Sequence, residues 1–177
     1  SARMIWDKGI KEYVNAAIIL RERGVKAKFI LVGAIDYDYP RFVEEKFLKE
    51  WSQNGIVNWL GYCDNINEIY QKSSIICLPS FYSEGIPKSL IEAAACGKPI
   101  VTTDMPGCRE IVKNNFNGIL VKPKDEISLA NALEVLINDF DLRFEFGTNG
   151  RRMAEEEYGA DKINRMTLSV YTDSNPN

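Results

Sequence analysis

Two glutamates, Glu84 and Glu92, stand with seven residues between them in a stretch reading Tyr-Ser-Glu-Gly-Ile-Pro-Lys-Ser-Leu-Ile-Glu-Ala-Ala-Ala-Cys-Gly-Lys-Pro over positions 82–99. The stretch joins an apolar run at 75–78 to a second at 100–101 through a loop and a helix. Leu90, Ile91, Ala93, Ala94 and Ala95 all suit a helix, and Gly97 followed by Pro99 supplies its stop. Ser89, or Ser83 a turn earlier, is expected to cap the start. Open backbone N–H groups and the positive end of the helix dipole make that start a site for an anion. Glu84 precedes it and Glu92 lies one turn inside the helix, so two carboxylates bracket it. The chain has no histidine, which removes histidine general bases, triads and histidine metal sites in one step. Cysteine and carboxylate nucleophiles stay open.

The elements that must position this stretch alternate along the chain. A helix over 10–23 carries Tyr13, Val14, Ala17, Ile18 and Leu20 as its apolar stripe and ends at Gly24. Residues 28–33 form an apolar strand closed by Gly33, which either lets backbone approach a ligand or simply turns the chain. A helix over 41–53 points Phe42, Val43, Phe47, Leu48 and Trp51 inward. A strand at 56–60 ends at Gly61, a short helix covers 65–72, and a strand follows at 75–78. Beyond the central helix come strands at 99–103 and 118–121, with a short helix at 109–113 between them. Helices at 128–138, 141–157 and 161–171 complete a single domain over 1–172, followed by a frayed polar tail at 173–177. This rhythm predicts an α/β fold, a doubly wound Rossmann-like parallel sheet with helices on both faces. Ligands in such sheets sit beyond the strand C-termini at the switch point. Gly33, Gly61 and the Glu84 loop all follow strand ends and so converge on one crevice.

Composition narrows the function class. With 177 residues, 45% apolar and 27% charged, the chain is an ordinary globular domain able to bury a full core. A net charge of −3 gives no footprint for nucleic acid. No apolar run approaches the roughly 20 residues that span a bilayer, and no signal-peptide pattern opens the chain, so a cytoplasmic protein is expected. Cys63, Cys77, Cys96 and Cys108 show no CxxC pairing and lie in or beside apolar runs, which reads as reduced thiols. No Gly-x-Gly-x-x-Gly follows a predicted strand, which argues against a dinucleotide-binding dehydrogenase.

The composite pattern Glu-Gly-x-x-x-x-Leu-x-Glu-Ala-x-Ala-Cys-Gly-x-Pro over 84–99 resembles the nucleotide-sugar site of GT-B glycosyltransferases, specifically the large retaining group 1 (GT4-type) family. Arg3, Lys8 and Gly9 match the family's Arg-x4-Lys-Gly pattern at the start of its C-terminal domain, and the resemblance covers that domain nearly end to end. It implies that Arg3 and Lys8 hold the donor's diphosphate and stabilise the charge that builds on it, which leaves no need for a metal or other cofactor. No supported Asp-x-Asp is present; Asp36-Tyr37-Asp38 has the spacing but sits in an unsupported loop. Glu92 is implied to accept the ribose hydroxyls, a task suited to a carboxylate because it takes two neighbouring O–H donors. Glu84 is implied to face the transferred sugar, so Glu84, Arg3 and Lys8 form the catalytic set.

Gly85, Ile86, Pro87, Lys88, Ser89 and Leu90 make up the donor-binding stretch, with residues 85–89 presenting backbone amides. Gly33 and Gly61 border it, and Tyr62 either stacks on the base or is a rim aromatic. The sequence departs from the common Glu-Gly-Phe-Gly form: Pro87 cannot donate an N–H, and Lys88 either compensates or is solvated. Arg109 and Glu110, in the match to the family's later loop, read as a helix-start ion pair. The Ile-Pro-Lys form and Pro106-Gly-Cys-Arg-Glu110 resemble the branch that builds surface polysaccharides and lipid-linked oligosaccharides.

The implied partners are therefore a nucleoside diphosphate sugar, UDP-linked by preference, and a glycan or lipid-linked acceptor. The family's N-terminal acceptor domain is a further implied partner, as is peripheral membrane association through the parent protein. This domain alone is expected to be inactive. The family's opening strand falls just before the first residues here, so either the boundary is tight or residues 1–6 serve as a shortened strand. The competing readings are a non-catalytic doubly wound module that binds a nucleotide or a partner, and another GT-B enzyme such as a sugar-nucleotide epimerase.

Overall fold

A computed structural model describes residues 1–82 and 85–158. The predicted helix over 161–171 and the tail at 173–177 lie outside these, as do Ser83 and Glu84. The described chain alternates helices α1 (Ile10–Glu22), α2 (Glu45–Gln53), α3 (Ile66–Lys72), α4 (Lys88–Ala95), α5 (Pro106–Ile111), α6 (Glu126–Asn138) and α7 (Phe140–Tyr158) with five strands. The strands are β1 (Ile30–Leu31), β2 (Asn58–Trp59), β3 (Ile76–Leu78), β4 (Ile100–Thr103) and β5 (Gly118–Val121). Every strand pairing is parallel, as the alternation requires.

Helices cover both faces. On β4, Ile100 points into one core with Tyr70, Leu78, Leu90 and Ala93, while its neighbour Val101 points into another with Leu20, Leu129 and Leu133. That alternation puts α4 on one face and α1 with α6 on the other. A third core gathers Ile10, Val14, Leu31, Val43 and Leu48 around β1.

Three expectations need correction. The strands form two sheets, β1-β2 and β3-β4-β5, in place of one. Among the described residues no strand lies between β1 and β3. A cavity of about 490 Å³ separates them, lined by Phe29, Ile30 and Val32 on one side and Ile75, Ile76 and Cys77 on the other. Residues 2–4 run parallel beside the exit of β1, with the Ala2 and Met4 amides donating to the Val32 and Ala34 carbonyls at 3.0 and 2.8 Å. That pairing is a single bridge, short of a strand.

Second, α2 begins at Glu45, later than position 41. Residues 41–43, a turn residue and a single bridge, bond to the chain start: Trp6 N–H to Arg41 O at 2.9 Å, and Val43 N–H to Met4 O at 2.9 Å. Third, the start of α4 has no serine cap. Pro87 is its N-cap, with φ −68° and no side-chain hydrogen bond, and Ser89 is already helical. The other end is as expected: Gly97 (φ 65°) closes a Schellman motif, its N–H bonding Ala94 O and that of Lys98 bonding Ala93 O.

Candidate functional site

The cation pair is positioned by one turn of 3₁₀ helix, Trp6–Lys8, laid across the exit of β3. The Asp7 carbonyl there accepts the N–H groups of Phe81 and Tyr82 at 3.0 and 3.1 Å, and the Ser80 hydroxyl at 3.4 Å. Gly9 ends the turn in the left-handed region (φ 74°), where a Cβ would lie 2.1 Å from the Pro79 carbonyl oxygen. Only glycine fits so close an approach. Lys8 is therefore fixed beside the segment that leads into the glutamate loop. It is buried (7% exposed), with Nζ 5.1 Å from the centre of the Tyr82 ring.

Arg3 lies on the same rim. Its guanidinium pairs with Asp36 at 2.6 Å and sits 5.8 Å above the Tyr39 ring. The Tyr39 hydroxyl donates to the buried Asp7 carboxylate at 2.9 Å, and Arg41 reaches the same carboxylate at 3.3 Å. The bond to Asp7 raises the Tyr39 pKa and keeps its proton on. Asp7, Asp36 and Tyr39 thus hold this cationic edge in shape. Asp36 belongs to Arg3 by an ion pair.

On the other side stands α4. Glu84 lies outside the described residues. Gly85 has open space around it, Ile86 is exposed and Pro87 is buried. The Lys88 side chain, 89% exposed, folds back along the helix to Glu92 (Nζ–Oε1 3.5 Å). Ser89 is half-buried in the first turn. Leu90 turns wholly into the core, and its amide already bonds Pro87 O at 3.0 Å, so neither group faces the crevice as a free donor. Glu92 is half-buried, and its second oxygen, Oε2, accepts the Tyr70 hydroxyl at 3.3 Å.

The remaining candidates divide. Gly61 (φ 69°) has nothing near a would-be Cβ, and Tyr62 beside it is 72% exposed. Gly33, by contrast, is approached by the chain itself: a Cβ would lie 1.8 Å from the Ala2 carbonyl oxygen. Arg109 bonds Asp104 across the start of α5, and Asp104 is thereby held below the usual carboxylate range. The expected Arg109–Glu110 pairing is corrected accordingly. The sequence reading missed Asp7, Tyr39 and Tyr70. Tyr70 stands in the apolar pattern of α3 and carries no sign of a polar duty. Asp7 had one available signal, its place within Trp-Asp-Lys-Gly beside two candidate cations.

Known proteins resemble this chain in sequence and fold. Residues 1–153 match the family described as "Glycosyl transferases group 1". The N,N'-diacetylbacillosaminyl-diphospho-undecaprenol alpha-1,3-N-acetylgalactosaminyltransferase of Campylobacter jejuni is 36% identical over 170 residues, which cover 96% of this chain and 43% of that protein. The crystal structure of Anabaena HepE in complex with UDP has a TM-score of 0.85 at 23% identity, over 97% of this chain and 47% of that one. The C-terminal domain of LpcC, a glycosyl transferase group 1 family protein of Francisella tularensis, has a TM-score of 0.75 at 26% identity, over 89% of this chain and 83% of that one. The chain spans less than half the length of the Campylobacter relative. No described helix is long and apolar enough to cross a membrane. With the family matched over most of its length, this chain belongs to the group 1 glycosyltransferases and has the Rossmann-like fold of their C-terminal, GT-B half.

Proposed function

We propose that this domain binds the nucleoside diphosphate sugar of a retaining hexosyl transfer, UDP-linked, and that the acceptor is a glycan or lipid-linked saccharide held by an N-terminal domain of the parent protein. The observation that carries the reading is the stapling of Lys8 against the β3 exit, on the rim shared with Arg3. An ammonium and a guanidinium fixed there meet a diphosphate, and the uncapped start of α4 adds open N–H groups to the same charge. Charge grows on the diphosphate as the glycosidic C–O bond breaks, so donors fixed in advance favour the transition state.

A new C–O bond then forms from the acceptor oxygen to the anomeric carbon, and the acceptor's proton passes to the departing diphosphate. No side-chain base from this domain enters that scheme, and neither does a metal. Glu92 takes the ribose hydroxyls and Glu84 faces the sugar. The bound UDP of HepE supports the choice of base, and the diphospho-undecaprenol in the Campylobacter relative's name supports a lipid-linked acceptor.

Calorimetry with UDP, GDP and ADP tests the reading. UDP should bind selectively, and Lys8→Ala and Glu92→Ala should each weaken it by about tenfold or more, the scale for losing a charge-assisted hydrogen bond. Equal binding of all three nucleotides, or UDP binding untouched by both variants, overturns it.

A further inference from the structure

We infer that Tyr70 is a positioning residue for nucleotide recognition, its buried hydroxyl fixing the Glu92 carboxylate in the orientation that receives a ribose diol. The inference rests on the reading of Glu92 given above and adds a residue to it.

Tyr70 is 1% exposed and packs its ring among Leu78, Leu90, Ala93 and Ile100. A hydroxyl carried so deep needs partners, and it has two: Ser1 Oγ at 2.9 Å and Glu92 Oε2 at 3.3 Å. The directions follow from chemistry. An ionised carboxylate only accepts, so Tyr70 donates to Glu92, and the Ser1 hydroxyl is left to donate to Tyr70. Burial raises the Tyr70 pKa to about 12, so the proton stays on throughout the neutral range.

The two oxygens of Glu92 thus have unlike surroundings. Oε2 is tied to a rigid ring in the core, while Oε1 meets the ammonium of Lys88 at 3.5 Å on an almost fully exposed side chain. Three torsions separate a glutamate carboxylate from its backbone, and an inward tie on one oxygen fixes the carboxylate plane. The lone pairs left on the carboxylate then present a fixed pair of acceptors. A vicinal diol rewards that preparation, because both O–H bonds form without further loss of side-chain freedom. Lys88 pairs with the carboxylate from an exposed side chain and yields to the ribose.

The test compares UDP with 2′-deoxy-UDP on the 177-residue chain, its Tyr70→Phe variant and Glu92→Gln. The parent chain should prefer UDP, and Glu92→Gln should erase the preference. Tyr70→Phe keeps the ring and should shrink the preference about three- to tenfold, the worth of one hydrogen bond, with 2′-deoxy-UDP, which keeps one of the two hydroxyls, weakened less than UDP. A preference that survives Tyr70→Phe in full overturns the inference and leaves the role of Glu92 standing. Equal weakening of both nucleotides, or a variant already unfolded at the assay temperature, assigns the hydroxyl to the fold and overturns it too. A preference untouched by Glu92→Gln, or absent from the parent chain, refutes the ribose role of Glu92 and the inference with it.

Discussion

Replacing Gly9 by alanine probes the contact on which the cation side depends. Two terms add. At φ 74° the Cβ of an L-residue clashes with its own backbone, at about 1–2 kcal/mol. The same Cβ would also lie 2.1 Å from the Pro79 carbonyl oxygen, so the turn and the β3 exit must part by about an ångström, at about 1–3 kcal/mol for a forced backbone shift. Gly24 offers a control for the first term, since its φ is 77° and nothing lies within 4 Å of its would-be Cβ. Gly24→Ala should therefore cost about 1–2 kcal/mol and Gly9→Ala about 2–5, against a total stability of about 5–15 kcal/mol. Urea unfolding followed by circular dichroism measures both. UDP affinity at low urea should fall for Gly9→Ala alone, because parting the turn from Pro79 breaks the Asp7 carbonyl contacts that place Lys8. Equal costs within about 0.5 kcal/mol would refute the close approach, the scale of an ordinary surface substitution. Unequal costs with unchanged binding would sever the contact from the site.

Two further outcomes follow. Burial pushes the Cys77 thiol, in the wall of the cavity between β1 and β3, from 9.0 up to about 12, and pushes Tyr70 from 10.0 up to about 12. Both are raised in the fold, so their contribution is whole below pH 9 and is lost as pH climbs toward 12; the slope is about 1.4 kcal/mol per pH unit for each group. Urea midpoints at several pH values above 8 should show this, with Cys77→Ala flattening the limb between pH 9 and 10; an unaltered limb would show that the thiol titrates freely in the fold. Asp36→Asn should leave Arg3 unplaced and weaken UDP binding by about two- to fivefold, the worth of an exposed ion pair. Tighter binding would mean that Asp36 competes with the ligand for Arg3 and does not present it.

What could be read in the sequence was local. The end of α4 needed only Gly97 and Pro99, and β5 at Gly118–Val121 showed in its apolar run. The division of β4 between two cores followed from burial on both faces, a feature of parallel sheets. The errors came where distant segments compete for local pattern. Residues 41–44 have helix-compatible side chains, but 41–43 bond to residues 4–6, and nothing nearby in sequence announces that. Ser89 is a good capping residue placed one position inside a helix that Pro87 already starts. Glycine was legible and its partner was not: Gly33 suggested a ligand and meets Ala2, whereas Gly9 meets Pro79 from 70 positions away.

The same distinction explains why the polar supports of the site were hidden. Arg3, Lys8 and Glu92 stand out through their match to the family's motifs; by type alone, basic residues and a glutamate near a helix start are common on any fold. The groups that hold them are a backbone carbonyl (Asp7 O), a core tyrosine (Tyr70) and a loop aspartate (Asp36). Each of those is common in a fold with no site at all, and each gains meaning only from its partner. The Asp7 carbonyl is the sharpest case. One acceptor group takes donors from Ser80, Phe81 and Tyr82, so the cation turn and the approach to the glutamate loop shift as a unit. A side-chain substitution at Asp7 leaves that carbonyl in place, whereas an alanine at Gly9 moves it. The geometry of the cation site is thus guarded by a residue with no side chain.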